Sequence, residues 1–172
     1  MTFFNPEQNC YESFFFFSKP INEHHKNVLF TSFDSSLIKE TPLYEKIILI
    51  ADLFISEIKK KEIEQIGIES YSLHSVGMFT TIIENLGYLK VSLTKEQLSF
   101  LELSPTTIKK GFAGSGKATK EDMVRTFEEK INLDLYKILI LNKSLKHIPK
   151  PITDIVDSFA ISQEVYRRHD TV

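Results

Sequence analysis

Two aspartates three residues apart, Asp154 and Asp157, lie in the run Pro151-Ile152-Thr153-Asp154-Ile155-Val156-Asp157-Ser158-Phe159-Ala160-Ile161-Ser162. On a helix that spacing puts both carboxylates on one face. Beside Ile155, Val156 and Phe159, two like charges are costly to bury unless a cation lies between them, and carboxylate oxygens are hard donors suited to a divalent ion. The alternative is an N-terminal helical turn that carries acids because the helix dipole favours them there. A third acid, Glu69, ends the run Gln65-Ile66-Gly67-Ile68-Glu69-Ser70-Tyr71, where a short strand meets its loop. Such a position serves catalysis well, and it also suits a carboxylate that simply points into water.

Positioning these acids requires a mixed α/β framework. Thr2 to Phe4, Tyr11 to Phe17 and Asn27 to Phe33 are aromatic and β-branched runs separated by Asn5-Pro6, Pro20 and the polar Asn22 to Lys26, and they read as three consecutive antiparallel strands. The run Phe14 to Phe17 breaks strict alternation, as in a strand covered on both faces. Thr41-Pro42 then reads as an N-cap and first helical residue, opening a helix to about Glu62 with apolar positions Leu43, Ile47, Ile50, Ala51, Phe54 and Ile58. The Glu69 strand follows, then a helix over Val76 to Val91 with Gly77 and Gly87 as close-packing points, and a strand from Leu98 to Leu103. A glycine-rich connection, Gly111 to Gly116, leads into a helix from about Lys120. Tyr136 to Leu141 fits either an extension of that helix or a short strand. The last helix carries the aspartate pair.

At 172 residues the chain reads as one domain, residues 1–172, with a substantial core. Its formal net charge of −2 does not mark a nucleic-acid binder, but Lys109, Lys110, Lys117, Lys120 and Arg125 outnumber Glu121 and Asp122 in one stretch. Cys10 is the only cysteine, which excludes an intrachain disulfide framework and a cysteine-rich zinc site. His24, His25, His74, His147 and His169 show no metal-ligand spacing and read as surface residues. No apolar run approaches a membrane span and the start lacks a secretory signal, so a soluble, cytoplasmic protein without membrane partners is expected.

Gly111-Phe112-Ala113-Gly114-Ser115-Gly116-Lys117 also fits the Gly-x-x-x-x-Gly-Lys pattern of a nucleotide-binding P-loop. Ala118 stands where that loop needs a hydroxyl on magnesium, Thr119 comes one step late, and the Tyr136 to Leu141 run ends in Asn142 rather than an acid.

Taken together, Ile66-Gly67-Ile68-Glu69, Lys109-Lys110-Gly111-Phe112-Ala113-Gly114-Ser115-Gly116-Lys117-Ala118-Thr119-Lys120 and Asp154-Ile155-Val156-Asp157-Ser158-Phe159-Ala160 resemble the RuvC-type Holliday junction resolvases, in order and over nearly the whole chain. The resemblance implies an RNase H-like fold, with a mixed five-stranded sheet of three antiparallel strands followed by parallel ones, flanked by helices. It implies a homodimeric endonuclease of DNA recombination and repair that cuts four-way junctions and other branched DNA. Two Mg2+ or Mn2+ ions per site would activate the attacking water and stabilise the leaving oxygen. A viral or phage-type member fits the compact, divergent chain.

By motif, Glu69, Asp154 and Asp157 match three of the family's four metal-binding carboxylates, and Asn5 of Asn5-Pro6-Glu7 falls at the fourth, on the first strand. An amide keeps the shape and one acceptor oxygen but loses the charge that bridges two cations, so the chain as written is expected to cut weakly or not at all. Three explanations stand for Asn5: an amide introduced to trap uncut DNA, natural loss of cleavage that leaves a silent junction-binding protein, or an acid located elsewhere, at Glu7 or Asp34. The resemblance also assigns DNA contacts to Lys109, Lys110, Ser115, Lys117 and Lys120, and close backbone approach to the phosphate at Gly114 and Gly116. In this family an aromatic or loop near the first Glu helps to open the junction, and Tyr71 is the candidate nearest Glu69.

Overall fold

The computed structural model describes residues 1–5, 10–17, 22–25, 28–34, 36–71, 79–141 and 147–169. In chain order the elements are β1 (Thr2–Asn5), β2 (Cys10–Phe17), β3 (Asn22–His25), β4 (Val28–Asp34), α1 (Ser36–Lys39), α2 (Leu43–Lys60) and β5 (Gly67–Glu69). They continue with α3 (Phe79–Lys95), β6 (Leu101–Leu103), α4 (Pro105–Ala113), α5 (Lys120–Ile131), α6 (Leu135–Ile138) and α7 (Lys150–His169). The chain forms two compact units, Met1–Ser35 with Thr106–Val172, and Ser36–Pro105.

In the first unit the strands form one sheet in the order β1-β2-β4-β3. β1 pairs antiparallel with β2, but β2 and β4 run parallel, Tyr11 opposite Val28 through Phe17 opposite Asp34. This corrects the expected five-stranded sheet opening with three antiparallel strands: among the described residues there are a four-stranded sheet and a separate two-stranded one. The physical reason is β3. The polar Asn22 to His25, read as a connection, instead pair antiparallel with β4, Asn22 opposite Thr31 through His25 opposite Val28. The reversal is spent between β3 and β4, which leaves β4 parallel to β2. A strand as polar as Asn-Glu-His-His suits the sheet edge it occupies. Phe14 to Phe17 belong to β2, and their side chains lie outside the described residues.

α7 packs on β1 and β2, and on α5. Its Ile152, Ile155, Val156, Phe159 and Ala160 are buried, as helical spacing requires. Phe159 is the hub: its ring centroid lies 4.3 Å from Tyr11, 5.0 Å from Phe127 and 6.0 Å from Phe112, the latter two edge-on. α6 resolves the ambiguous Tyr136 to Leu141 run as one helical turn. Asp134 caps it by accepting from the backbone N–H of Tyr136 at 3.0 Å, and Leu135 and Ile138 are buried.

In the second unit β5 and β6 pair in parallel, Gly67 opposite Leu101 and Glu69 opposite Leu103. Ile47, Ala51, Ile55 and Ile58 of α2 turn inward, with Leu93 of α3 and Leu103 also buried. Leu43, expected on the apolar stripe, is 42% exposed. Pro42 is the N-cap of α2 rather than its first helical residue, because its ψ of 151° is extended. Gly87 has no atom within 4 Å of where a Cβ would stand, so it is no close-packing point, and Gly77 lies outside the described residues.

Candidate functional site

The aspartate pair stands in the first half of α7. Ile152, Thr153, Ile155 and Val156 are buried around it, and this hydrophobic seating fixes which way the acids face. Asp157 is half-buried, and burial first, then the neighbouring Asp154 charge, push its carboxyl above the usual value of 3.8. Asp154 is exposed by area, yet protein crowds its carboxyl enough that desolvation raises it too. The opposing influences identify the cations nearby. Lys120 acts on both acids, Lys109 on Asp157, and Lys150 and the Met1 ammonium on Asp154. Burial in turn lowers the Met1 ammonium to about 6 against the opposite pull of Asp154.

Lys109 and Lys120 reach the pair because two helices converge on α7. Lys109 lies on α4, which begins with Pro105 at the first helical position. The helix stops at Gly114, whose φ of +78° requires glycine and whose N–H donates to the Lys110 carbonyl at 3.1 Å. Lys120 opens α5 behind a capping box: Thr119 Oγ1 accepts from the Asp122 N–H at 3.1 Å, and Asp122 Oδ2 accepts from the Thr119 N–H at 3.0 Å. These bonds hold Asp122 below the usual carboxylate range.

The connection differs from expectation in two ways. Gly111 is inside α4, so the Gly-x-x-x-x-Gly-Lys run joins helix to helix, whereas a P-loop joins strand to helix. Gly116 makes its close approach to protein: an added Cβ would stand 2.6 Å from Thr106 Cγ2. Ser115 serves the turn, its Oγ accepting from the Lys117 N–H at 3.2 Å. Lys110 and Lys117 are exposed.

Asn5 is the last residue of β1, opposite Cys10. Thr2, at the other end of that strand, meets α7 through a 2.7 Å hydrogen bond between Thr2 Oγ1 and Ser158 Oγ. Tyr11, the ladder partner of Phe4, stacks on Phe159 and accepts from Gln163 Nε2 at 3.2 Å. Met1, just before β1, thus shares the field of Asp154, and Thr2 at the start of the strand meets Ser158, while Asn5 stands three residues further along β1, about 10 Å of strand. Glu7 is outside the described residues.

Glu69 and Tyr71 belong to the second unit. Glu69 ends β5, as its position at a strand terminus predicts. The Tyr71 ring holds Lys90 Nζ 5.1 Å from its centroid, and that ammonium is paired with Glu102 of β6 at 2.7 Å. His147 and His169 are exposed, as read, while His74 lies outside the described residues.

Among the described residues no three His, Cys, Asp or Glu side chains gather into a metal-holding group. Asp154 and Asp157 offer the hard oxygens that Mg2+ or Mn2+ takes, and a cation would relieve their repulsion, but the pair alone completes no cage. Sequence reading missed Lys150 and the Met1 ammonium as charges at the pair, and only the approach of β1 to α7 reveals the latter.

No protein-family model matches the chain, and no curated protein is detectably similar to it in sequence. Solved structures are similar. A Thermus thermophilus RuvC structure aligns at 19% identity over 77% of this chain and 74% of that one, with a TM-score of 0.51. T. thermophilus RuvC in complex with Holliday junction substrate aligns with the same identity and coverage and a TM-score of 0.52. The chain thus has a RuvC-like α/β fold of the RNase H type.

Proposed function

We propose that this chain is a structure-selective endonuclease of the RuvC type that binds four-way junctions and other branched DNA as a homodimer. The observation that carries the reading is the desolvated Asp154–Asp157 pair on α7, faced by Lys109 and Lys120, on a fold similar to a RuvC seen with Holliday junction substrate. Asp154, Asp157 and Glu69 would hold Mg2+ or Mn2+, which supplies water activation and leaving-group stabilisation when bound. Lys109 and Lys120 would neutralise the scissile phosphate. Lys110 and Lys117, with the backbone of Gly114, Ser115 and Gly116, would fix the DNA in position without reading sequence. Tyr71 would meet bases at the branch point, and both units serve one nuclease domain.

Motif places Asn5 where the bridging acid belongs, and with an amide there cleavage is compromised. The second reading, a silent RNase H-fold protein that binds branched DNA, is favoured by that amide and by what the start of the chain brings to α7, the Met1 ammonium in the field of Asp154 and Thr2 on Ser158. Gel retardation of a four-way junction and of linear duplex tests binding, and cleavage by Asn5→Asp and Thr2→Asp with Mg2+ tests chemistry. The nuclease reading expects tighter binding of the junction and cutting restored by one of these aspartates. Equal affinity for both DNAs would sink junction recognition, and junction binding with no cutting by either variant would favour the silent protein.

A further inference from the structure

A second charged feature of the first unit lies further along α7. Glu164 is 2% exposed, yet it is ionised by design: Arg167 Nε and Nη2 donate to it at 3.0 and 2.8 Å, and Arg168 Nε donates at 2.8 Å. The Arg167 bonds chiefly hold its carboxyl below the usual range. The Arg167 and Arg168 side chains nevertheless remain 59% and 42% exposed. Opposite them, α4 makes room: a Cβ at Gly111 would stand 2.2 Å from Glu164 Oε2. Glycine inside a helix is a poor helix former, and an apolar side chain at position 164 would pack without a desolvation penalty. Helix propensity and apolar packing by themselves would therefore favour neither Gly111 nor Glu164.

What it achieves is orientation. With its Nε and Nη2 edge held on the carboxylate, the Arg167 guanidinium is fixed in plane, and it lines a cleft of about 570 Å³ together with Thr107, Lys110, Gly111 and Glu164. Among the described residues that line the cleft, Lys110 and Arg167 outnumber Glu164, its one carboxylate. Adjacent lysines on α4 split their work, Lys109 acting on Asp157 and Lys110 lining this cleft. Along α7, ten residues separate Asp157 from Arg167, about 15 Å of helix, or roughly four nucleotides of duplex measured along its axis.

We infer that the cleft between α4 and α7 binds a backbone phosphate of the DNA a few nucleotides from the acid pair, with Arg167, Lys110 and Thr107 as contacts and Glu164, admitted by Gly111, as the positioning residue. This rests on the nucleic-acid reading above. The test is duplex and junction binding by the full chain across a salt series without divalent metal. Lys110→Gln and Arg167→Gln should each reduce the slope of log affinity against log salt by about 1, equally for all sequences. Glu164→Gln and Gly111→Ala should weaken binding, although the first makes the protein more positive. A residue that only added negative charge would give tighter binding on neutralisation. If Glu164→Gln fails to fold, the exposed Arg167 and Lys110 variants decide. Slopes unchanged in both, with DNA still bound, would reduce the cluster to an ion-pair network within α7 and leave the nuclease reading intact. An unsubstituted chain that binds neither DNA would overturn both.

Discussion

The two aspartates hold their protons more tightly in the folded protein than in the unfolded chain, and this has a sign that can be measured. Stability should fall as pH rises from about 3.8 through their raised values, because the folded state binds more protons there. The Met1 ammonium acts oppositely: between about 6 and its ordinary 8.0 the folded state holds fewer protons, so stability rises with pH. Asp157→Asn removes one of two repelling charges and should raise the Tm at pH 7 in metal-free buffer by about 2–4 °C, equivalent to roughly 1 kcal/mol in a chain of this size. Added Mg2+ should stabilise the unsubstituted protein more than this variant, closing the gap. A Tm that does not rise in Asp157→Asn would mean that the pair is already neutralised by Lys109 and Lys120.

At the scale of elements, the helices are held by few, identifiable contacts. Phe159, fully buried among Tyr11, Phe112 and Phe127, ties α4, α5 and β2 to α7, and Phe159→Ala should cost about 3–5 kcal/mol in denaturant unfolding. Thr119→Ala breaks the capping box that delivers Lys120, and should lower the Tm by about 2–4 °C while weakening DNA binding. That box is written in the sequence as Thr-x-x-Asp, Thr119 to Asp122. α2 and α7 were legible because their apolar residues recur at helical spacing. β3 was not, because an edge strand buries little, and its polar Asn-Glu-His-His carries no hydrophobic period.

For the whole molecule, the proposed homodimer predicts that sedimentation gives twice the mass of the 19.9 kDa chain, since a four-way junction is itself two-fold symmetric. A monomer that still binds junctions would separate recognition from pairing. No described helix is long and apolar enough to cross a membrane. By itself the sequence determined the α/β class, the acid pair on one helical face and Glu69 at a strand end, because periodicity and i,i+3 spacing are local and survive without neighbours. Only the tertiary structure decided that β2 and β4 run parallel, that Lys109, Lys120 and the Met1 ammonium share the field of the aspartates, and that Gly111 opens α4 to Glu164. Each of these depends on which distant segments come to lie side by side, and spacing along a chain does not encode that.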